Sequence, residues 1–219
     1  MFFEENAKLL ADFAWMSQSA GTRSDYVQGG GGNTSVKLAG GLMAIKASGF
    51  CLSDITPNSA YAVLDGAAVR EFYLTSEPEQ FENVETAGST KAKESVKVIE
   101  GLAQLRPSVE AGFHSILKTY VVHTHSVYAN LAACAVNCKE ICTAAFEGAD
   151  YSWGMVPYVD PGANLTFAIR NEMKRVENAV MAQTSITGEA LMQSAAAHVA
   201  HAVQKLRREN SGVVLCVCG

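Results

Sequence analysis

Two histidines in the segment Val-Val-His-Thr-His-Ser have the spacing that could bind a metal ion. His123 and His125 are two residues apart, and residues two apart on a β-strand point to the same side. Both imidazoles could therefore close on one ion, and imidazole nitrogen is a common zinc ligand. An apolar run before the pair predicts a strand, so the pair stands at a strand end. The alternative is two histidines on the polar face of a strand.

A carboxylate upstream of this pair could take part in the same chemistry. Glu110 lies on a short predicted helix, residues 108–117, that leads into the predicted strand at 120–123. It could act as a metal ligand or as a general base, or it could be a solvated acid at a helix N-terminus. His114, four residues on, would share its helical face as an orienting partner or as a packed histidine.

A glycine-rich loop at residues 29–35 offers closely spaced backbone N–H groups and small polar side chains. Such a loop could cradle a phosphate or a carboxylate, or it could be a flexible turn. It lacks the lysine of a P-loop and the glycine spacing of a dinucleotide fold. Nucleotide binding in an unrelated α/β enzyme is a further hypothesis, which these missing features argue against. The turn Lys-Ala-Ser-Gly at 46–49 is also suited to an anion.

The elements that must position these residues follow from hydrophobic periodicity and turn signals. Predicted helices cover residues 4–20, 91–105, 108–117, 129–136, 164–175 and 189–208. Predicted strands cover residues 34–38, 42–47, 61–64, 68–73, 120–123, 179–182 and 213–217, with a surface excursion at 74–90 and a loop at 148–161. This order predicts an α/β or α+β domain with a mixed sheet flanked by helices, as a single domain over 1–219.

Composition narrows the class of protein. The chain has 219 residues, of which 48% are hydrophobic and 18% charged, enough for a full core. Its net charge of −5 argues against a nucleic-acid surface, because binding phosphates needs clustered Lys and Arg. The acidic N-terminus is unlike a signal peptide, and no apolar run reaches the roughly 18 residues of a membrane span. We expect a cytoplasmic protein with a small-molecule or protein partner and no membrane or nucleic-acid partner.

The six cysteines favour reduced thiols, since they form no Cys-x-x-Cys pair. Cys134, Cys138 and Cys142 recur every four residues and would share one face of a helix. Their small apolar neighbours favour packing over a metal or redox cluster. Cys216 and Cys218 are expected on one face of a terminal strand.

Five motifs in order resemble the class II aldolase/adducin family. They are Gly-Gly-Asn-Thr-Ser at 31–35, Lys-Ala-Ser-Gly at 46–49, Pro-Ser-Val-Glu at 107–110 with His114, Val-His-Thr-His-Ser at 122–126, and Val-Pro-Tyr-Val-Asp-Pro-Gly at 156–162. The match spans most of the chain. The family includes aldolases that act on fuculose phosphate and rhamnulose phosphate.

The resemblance implies a fold and a reaction. The fold is an α/β three-layer sandwich with a mainly antiparallel mixed central sheet flanked by helices, usually assembled as a homotetramer with sites near subunit interfaces. The reaction cleaves or forms a carbon–carbon bond in a small sugar phosphate or related hydroxy-carbonyl compound, through a metal-stabilised enediolate. The implied zinc ligands are His123 and His125, with Glu110 as catalytic acid/base. The implied phosphate-binding residues are Gly32, Asn33, Ser48, Gly49 and Ser108.

The sequence departs from the family pattern at the third metal ligand. Members usually carry a histidine in an Asn-His-Gly-like motif, expected just after Gln183, where this chain has Thr-Ser-Ile at 184–186. His198 and His201 are better interpreted as a packed or solvated helix face. Val109 also stands where some family aldolases have a second phosphate-contacting serine. The alternatives are a non-enzymatic adducin-like interaction domain, or a related epimerase or decarboxylase.

Overall fold

A β-hairpin forms the centre of the fold, in a computed structural model that describes residues 1–149 and 151–184. Strand β1, Asn33–Lys37, pairs antiparallel with β2, Leu42–Lys46. Gly40 and Gly41 in the connection have φ values of 68° and 76°, in the left-handed region that glycine adopts without a Cβ penalty. The predicted hairpin at residues 34–47 is confirmed.

Two further strands extend the hairpin on both sides. They are β3, Tyr61–Asp65, and β4, Tyr120–His123. The strand order is β3-β2-β1-β4, and every pairing of named strands in the described residues is antiparallel. This agrees with the α/β class and the mainly antiparallel sheet expected from the sequence. Strand β1 is therefore central, between the hairpin partner and the strand that carries His123.

Helices precede, interrupt and follow these strands. In the described residues they are α1 Phe2–Glu5, α2 Ala7–Gly21, α3 Gly66–Thr75, α4 Val84–Glu94, α5 Ala111–Ile116, α6 Val127–Ala133, α7 Cys138–Ala145 and α8 Ala163–Thr184. Within the part of the chain that the structure describes, no helix combines the length and apolar character needed to cross a membrane. The predicted helices at 4–20, 108–117, 129–136 and 164–175 each correspond to one or two of these.

Hydrophobic clusters lie on both faces of the sheet because side chains alternate along each strand. Val36, Ala44 and Val63 belong to one cluster, together with residues of α2. Met43 and Ile45 belong to the other, which includes apolar residues of α3, α5 and α8. The side chains of β1 that face α5 therefore share a face with Met43 and Ile45, and this face carries the site.

The predicted strand at 68–73 is wrong, because α3 occupies it. The side chain of Asp65 accepts a hydrogen bond of 3.0 Å from the backbone N–H of Ala68 and so caps the helix. Val69 and Tyr73, four residues apart, are buried on one helical face. The apolar residues at 68–73 fit both the two-residue period of a strand and the 3.6-residue period of a helix. The N-cap at Asp65 favours the helix.

Two other predicted elements are also wrong. The helix expected at 91–105 ends with α4 at Glu94, and the chain then follows β3: the N–H of Lys97 donates to the carbonyl of Val63 at 2.8 Å. The strand expected at 179–182 is part of α8. A short apolar run does not distinguish a strand from a helix, and here the preceding helix continues.

Some predictions lie outside the described residues. They are the helix at 189–208, the strand at 213–217, and the positions of His198, His201, Cys216 and Cys218.

Candidate active site

Three separate segments bring the candidate site together. His123 is the last residue of β4 and lies opposite Asn33, the first residue of β1. Glu110 directly precedes α5, as its N-cap residue. All three are buried. Strand pairing and the start of one helix thus place an imidazole, an amide and a carboxylate side by side.

The carboxylate of Glu110 is hydrogen bonded on one oxygen. Oε2 lies 3.2 Å from Nδ1 of His123 and also accepts a hydrogen bond from Nδ2 of Asn33. Burial disfavours the charged carboxylate, but the hydrogen bonds from His123 and Asn33 and the nearby imidazoles outweigh it. The pKa of Glu110 therefore lies below its usual value. The group is ionised at neutral pH and can accept a proton.

The two histidines converge as the sequence predicts. Their ring centroids are 4.9 Å apart, with 59° between the ring planes. His123 is buried within the strand, whereas His125 lies just beyond the strand end and is exposed. Desolvation, and after it the charge of His123, lowers the pKa of His125. A lowered pKa keeps the imidazole neutral, which is the form that binds metals.

The glycine-rich loop packs directly against this pair. A Cβ on Gly31 would lie 3.0 Å from Nδ1 of His125, and one on Gly32 would lie 2.7 Å from the carbonyl oxygen of His123. Gly32 also has a φ of 72°. Only glycine combines this backbone conformation with so close an approach. The loop therefore forms one wall of the histidine site.

The second predicted anion turn lies beside the segment that carries Ser108. Ala47 pairs with Pro107 as an isolated antiparallel bridge, and the hydroxyl of Ser48 donates to the carbonyl of Pro107 at 3.1 Å. Ser108 Oγ accepts from the N–H of Glu110 at 3.2 Å. Gly49 is exposed, with a φ of 89°. The structure thus brings the Ser48 turn to the Ser108–Glu110 segment.

Lys46 connects the two loops, a role that the sequence reasoning missed. Its side chain is buried, and Nζ donates to the carbonyls of Phe50 at 2.6 Å and Gly30 at 3.3 Å. Burial lowers its pKa, while the charges of Cys51 and Glu110 act in the opposite direction. A buried lysine needs carbonyl or acidic partners, so a lysine inside an apolar strand is the signal that could have found it.

His114 does not contact the carboxylate of Glu110. Its ring is fully buried, Nδ1 lies 2.8 Å from Oγ of Ser35, and its carbonyl accepts a hydrogen bond from Nζ of Lys37. Within the described residues, its Nε2 has no hydrogen-bond partner. Burial lowers the pKa of His114 well below its usual value, so the ring is neutral. The ring of His114 packs against Phe113, which also contacts the ring of His123.

Comparison with known proteins identifies the family to which this chain belongs. The sequence profile of the Class II Aldolase and Adducin N-terminal domain matches residues 11–206 of this chain. The chain belongs to the class II aldolase/adducin family. No curated protein matches it in a sequence comparison.

One solved structure has the same fold as this class II aldolase/adducin chain. The N-terminal class II aldolase domain of a conserved protein from Thermoplasma acidophilum matches with a TM-score of 0.61 and 21% identity, over 73% of each chain. At that identity, the similarity shows a common fold. YgbL of Klebsiella pneumoniae, described as a candidate aldolase/epimerase/decarboxylase, matches at 18% identity over 60% of this chain and 51% of its own. Its TM-score of 0.40 is too low to indicate a common fold.

The residues of this class II aldolase/adducin site fit part of a metal centre. Nδ1 of His123 faces Glu110, which leaves Nε2 for a metal, as in the carboxylate–histidine–metal arrangement. Two neighbouring imidazoles suit zinc, and catalytic zinc sites have three protein ligands. The described residues hold no group of three or more His, Cys, Asp or Glu suited to a metal ion.

The cysteine series does not form one helical stripe. Cys134 is exposed at the end of α6, whereas Cys138 begins the next helix, α7, and Cys142 is buried on it. The break between the helices separates Cys134 from the other two. Of the three, Cys142 packs as a small buried side chain, as the sequence predicts, whereas Cys134 is exposed.

Proposed function

We propose that the chain is a metal-dependent aldolase, a lyase that cleaves or forms a carbon–carbon bond in a small hydroxy-carbonyl compound. The observation that carries this proposal is the buried carboxylate of Glu110, hydrogen bonded to His123 next to a second histidine. Membership of the class II aldolase/adducin family supports it. The reaction belongs to carbohydrate metabolism if the compound is a sugar phosphate.

His123 and His125 would hold the divalent metal, for which the imidazole donors favour zinc. When bound, such an ion supplies a Lewis acid that stabilises the negative charge of an enediolate. The chain itself orients these ligands. Glu110 fixes the ring of His123 through Nδ1, and Gly31 allows the loop to pack against His125.

Glu110 transfers the proton in this proposal. Cleavage of a β-hydroxy ketone removes the proton of the β-hydroxyl as the Cα–Cβ bond breaks, and the resulting enediolate then takes up a proton at its α-carbon; bond formation runs through the same steps in reverse. A carboxylate that is ionised at neutral pH accepts that proton and returns it in the reverse step.

The two loops bind the other end of the substrate. The proposed site for a phosphate or similar anion consists of Gly32, Asn33, Ser48, Gly49 and Ser108. Of these, Asn33 also contacts Glu110. Lys46 ties the two loops together through backbone carbonyls and adds a buried positive charge. Binding energy at this end orients the bond that reacts. The proposed substrate is therefore a sugar phosphate or a similar small molecule.

We also propose that the fold is a three-layer sandwich and that the protein is cytoplasmic. We further propose that it assembles as a homo-oligomer, with a tetramer favoured. Hydrophobic clusters on both sheet faces support the three layers. Helix α6 has no buried residue, and it exposes Tyr128 and Leu131 at 70% and 67%. An apolar surface of this kind is typical of a protein–protein interface.

Hydrogen exchange at a carbon next to a carbonyl tests the proposed function. Dihydroxyacetone phosphate, the simplest phosphorylated hydroxyketone, would be incubated with the protein and zinc in D2O and followed by NMR. We expect deuterium to enter the hydroxymethyl group, and we expect Glu110→Gln or His123→Ala to abolish the exchange. Glu82→Gln, an exposed acid, is the matched control. Exchange that survives Glu110→Gln would contradict the assignment of the base.

The second candidate is a non-enzymatic adducin-like interaction domain. The described residues favour it in one respect, since they supply two histidines and no three-residue metal group. Metal analysis of the purified protein separates the two candidates. Stoichiometric zinc that is lost in His123→Ala supports the enzyme. A metal-free protein that exchanges no deuterium into the ketone would support the interaction domain.

A further inference from the structure

Helix α5 begins directly after Glu110, yet it can satisfy few of its own backbone groups. It spans six residues, Ala111–Ile116, and all six are buried. The last four carbonyls of an α-helix have no partner within the helix. In α5 these carbonyls make up most of the element, and a buried carbonyl without a partner is costly. The helix therefore depends on donors from other parts of the fold.

Two basic side chains supply such donors at the C-terminal end of α5. Nζ of Lys37, the last residue of β1, donates to the carbonyl of His114. Nη1 of Arg70, on α3, donates to the carbonyl of Ser115 at 3.4 Å and to that of Ile116. Three successive carbonyls are thus bound from two separate elements. We call Lys37 and Arg70 the α5 clamp.

The carbonyls of α5 are the counterpart of both charges in the clamp. Neither Lys37 nor Arg70 takes part in an ion pair within residues 1–149 and 151–184. Burial, and after it the charge of Arg70, lowers the pKa of Lys37, so the two side chains repel each other. Positive charge at the C-terminal end of a helix is stabilising, because the carbonyls there carry partial negative charge. Contact with α5 therefore accounts for two like charges side by side.

The clamp and the site hold opposite ends of one short segment. The N–H of His114 donates to the carbonyl of Glu110 at 3.3 Å, so the residue that Lys37 binds lies one helical turn from the base. The carboxylate of Glu110 in turn lies 3.2 Å from Nδ1 of His123, on β4. A hydrogen bond tolerates a change of only a few tenths of an ångström in this distance. A shift of α5 along its axis would therefore separate Glu110 from His123.

We infer that Lys37 and Arg70 are positioning residues, which set the axial position of α5 and thereby the place of the Glu110 carboxylate beside His123. The geometry of the clamp carries this inference, and only its effect on catalysis rests on the proposed function. Residues that act through the helix should change the chemical step and leave substrate binding unchanged. They should also determine where the carboxylate lies in protein without substrate, which gives two independent tests.

Steady-state kinetics of deuterium exchange give the first test. Arg70→Met and Lys37→Met each replace the donors by an unbranched apolar chain. We expect each to lower kcat about 10-fold, with KM for dihydroxyacetone phosphate within about threefold of the native value, because a small misplacement of the base slows proton transfer. Arg70→Lys and Lys37→Arg keep a donor, so each should recover most of the lost kcat. A rise in KM with unchanged kcat would contradict the inference.

Tyr61→Phe is the control for a general loss of stability. It removes a hydrogen bond of 2.7 Å from the Tyr61 hydroxyl to the carbonyl of Pro57, and Tyr61 belongs to the hydrophobic cluster on the other face of the sheet. We expect a lower melting temperature and a native kcat. Equal losses of kcat in Tyr61→Phe and Arg70→Met would show that the clamp contributes stability alone, and would overturn the inference.

NMR of the Asn33 side chain gives the second test, in protein without substrate. The Asn33 amide donates to Glu110, so its signals report where the carboxylate lies. In protein labelled with 15N-asparagine, these signals are assigned by their loss in Asn33→Ala. We expect Arg70→Met to shift them, although Arg70 lies on a different element, and Tyr61→Phe to leave them in place. Arg70→Lys should shift them less than Arg70→Met.

The two tests separate failure of the inference from failure of the proposed function. Native protein that exchanges no deuterium into the ketone contradicts the proposed function, while the Asn33 signals still report on the clamp. Asn33 signals that are unchanged in both Arg70→Met and Lys37→Met overturn the inference, even if kcat falls. If neither methionine variant folds, Arg70→Lys decides, because the smaller shift that we expect must still be present.

Discussion

The two ends of the candidate site are built in different ways. At the base end, Glu110, His123 and Asn33 are buried and bind one another through side chains. At the cradle end, Gly49 is exposed, and the hydroxyl of Ser48 binds a backbone carbonyl. The base end is thus already arranged before a ligand binds, whereas the cradle offers donors that a ligand must recruit.

The difference follows from what each end must do. Proton transfer requires a carboxylate at a fixed distance and angle, and side-chain hydrogen bonds supply that order. An anion is held by several weak donors, so glycines and short hydroxyls suffice. We therefore expect changes at the base end to affect the chemical step and changes at the cradle end to affect binding.

The largest expected effect is that of Glu110→Gln. Loss of the base should lower kcat for deuterium exchange by about 10²- to 10⁴-fold, with KM almost unchanged. Thermal unfolding of the variant, compared with Glu82→Gln, would check that the fold is intact. If KM rose by a similar factor while kcat did not fall, Glu110 would act in binding, and the expected contrast between the two ends would be wrong.

The next effect compares two glycines of the proposed anion site, one packed against His123 and one exposed. Gly32→Ala places a Cβ 2.7 Å from the carbonyl oxygen of His123 at a φ of 72°, so the backbone must shift. We expect a loss of about 1–3 kcal/mol in the free energy of unfolding. Gly49→Ala shares the positive φ, 89°, but has nothing within 4 Å, so it should cost less. Urea unfolding of both variants measures the difference, and equal losses would show that the close approach is unimportant.

A third effect concerns Lys37, whose side chain lies on the α5 face of β1, and depends on pH. Burial, and after it the charge of Arg70, lowers the pKa of Lys37 to about 7. Between about pH 7 and 10 the unfolded chain binds more protons at this residue, so folded stability rises with pH in that window. The expected slope is at most about 1.4 kcal/mol per pH unit.

Lys37→Met tests this effect by urea unfolding at several pH values. The variant should gain most over the native protein at pH 7 and below, and the gain should shrink towards pH 10. A difference between the two proteins that does not change with pH would show that Lys37 keeps an ordinary pKa in the fold.

The smallest effect belongs to the cradle. Ser48→Ala removes one hydroxyl, which we expect to raise KM for dihydroxyacetone phosphate about threefold to tenfold and leave kcat unchanged. Unphosphorylated dihydroxyacetone should bind the variant and the native protein equally. An equal change for both ketones would argue that Ser48 acts on the reacting end.

Local sequence patterns correctly predicted the elements whose structure depends mainly on their own residues. The hairpin of β1 and β2 follows from two apolar runs around Gly40-Gly41, and most of α2 follows from the helical spacing within residues 4–20. Prediction failed at 68–73, where the Asp65 cap favoured a helix over the apparent alternation. It also failed at 91–105, where pairing with β3 ends the helix. Such long-range pairing leaves no local mark in the sequence.

The sequence by itself determined which residue types are available: two histidines at a strand end, a carboxylate before a helix, and glycines in a loop. Only the tertiary structure decided which atoms meet. Asn33 and Glu110 are 77 positions apart, and strand pairing with His123 brings both to one point. A change of a few tenths of an ångström in the donor–acceptor distance decides whether a hydrogen bond forms. Packing sets that distance, and residue order does not. The fold thereby adds a contact that residue order does not show, since the side-chain amide of Asn33 donates to Glu110.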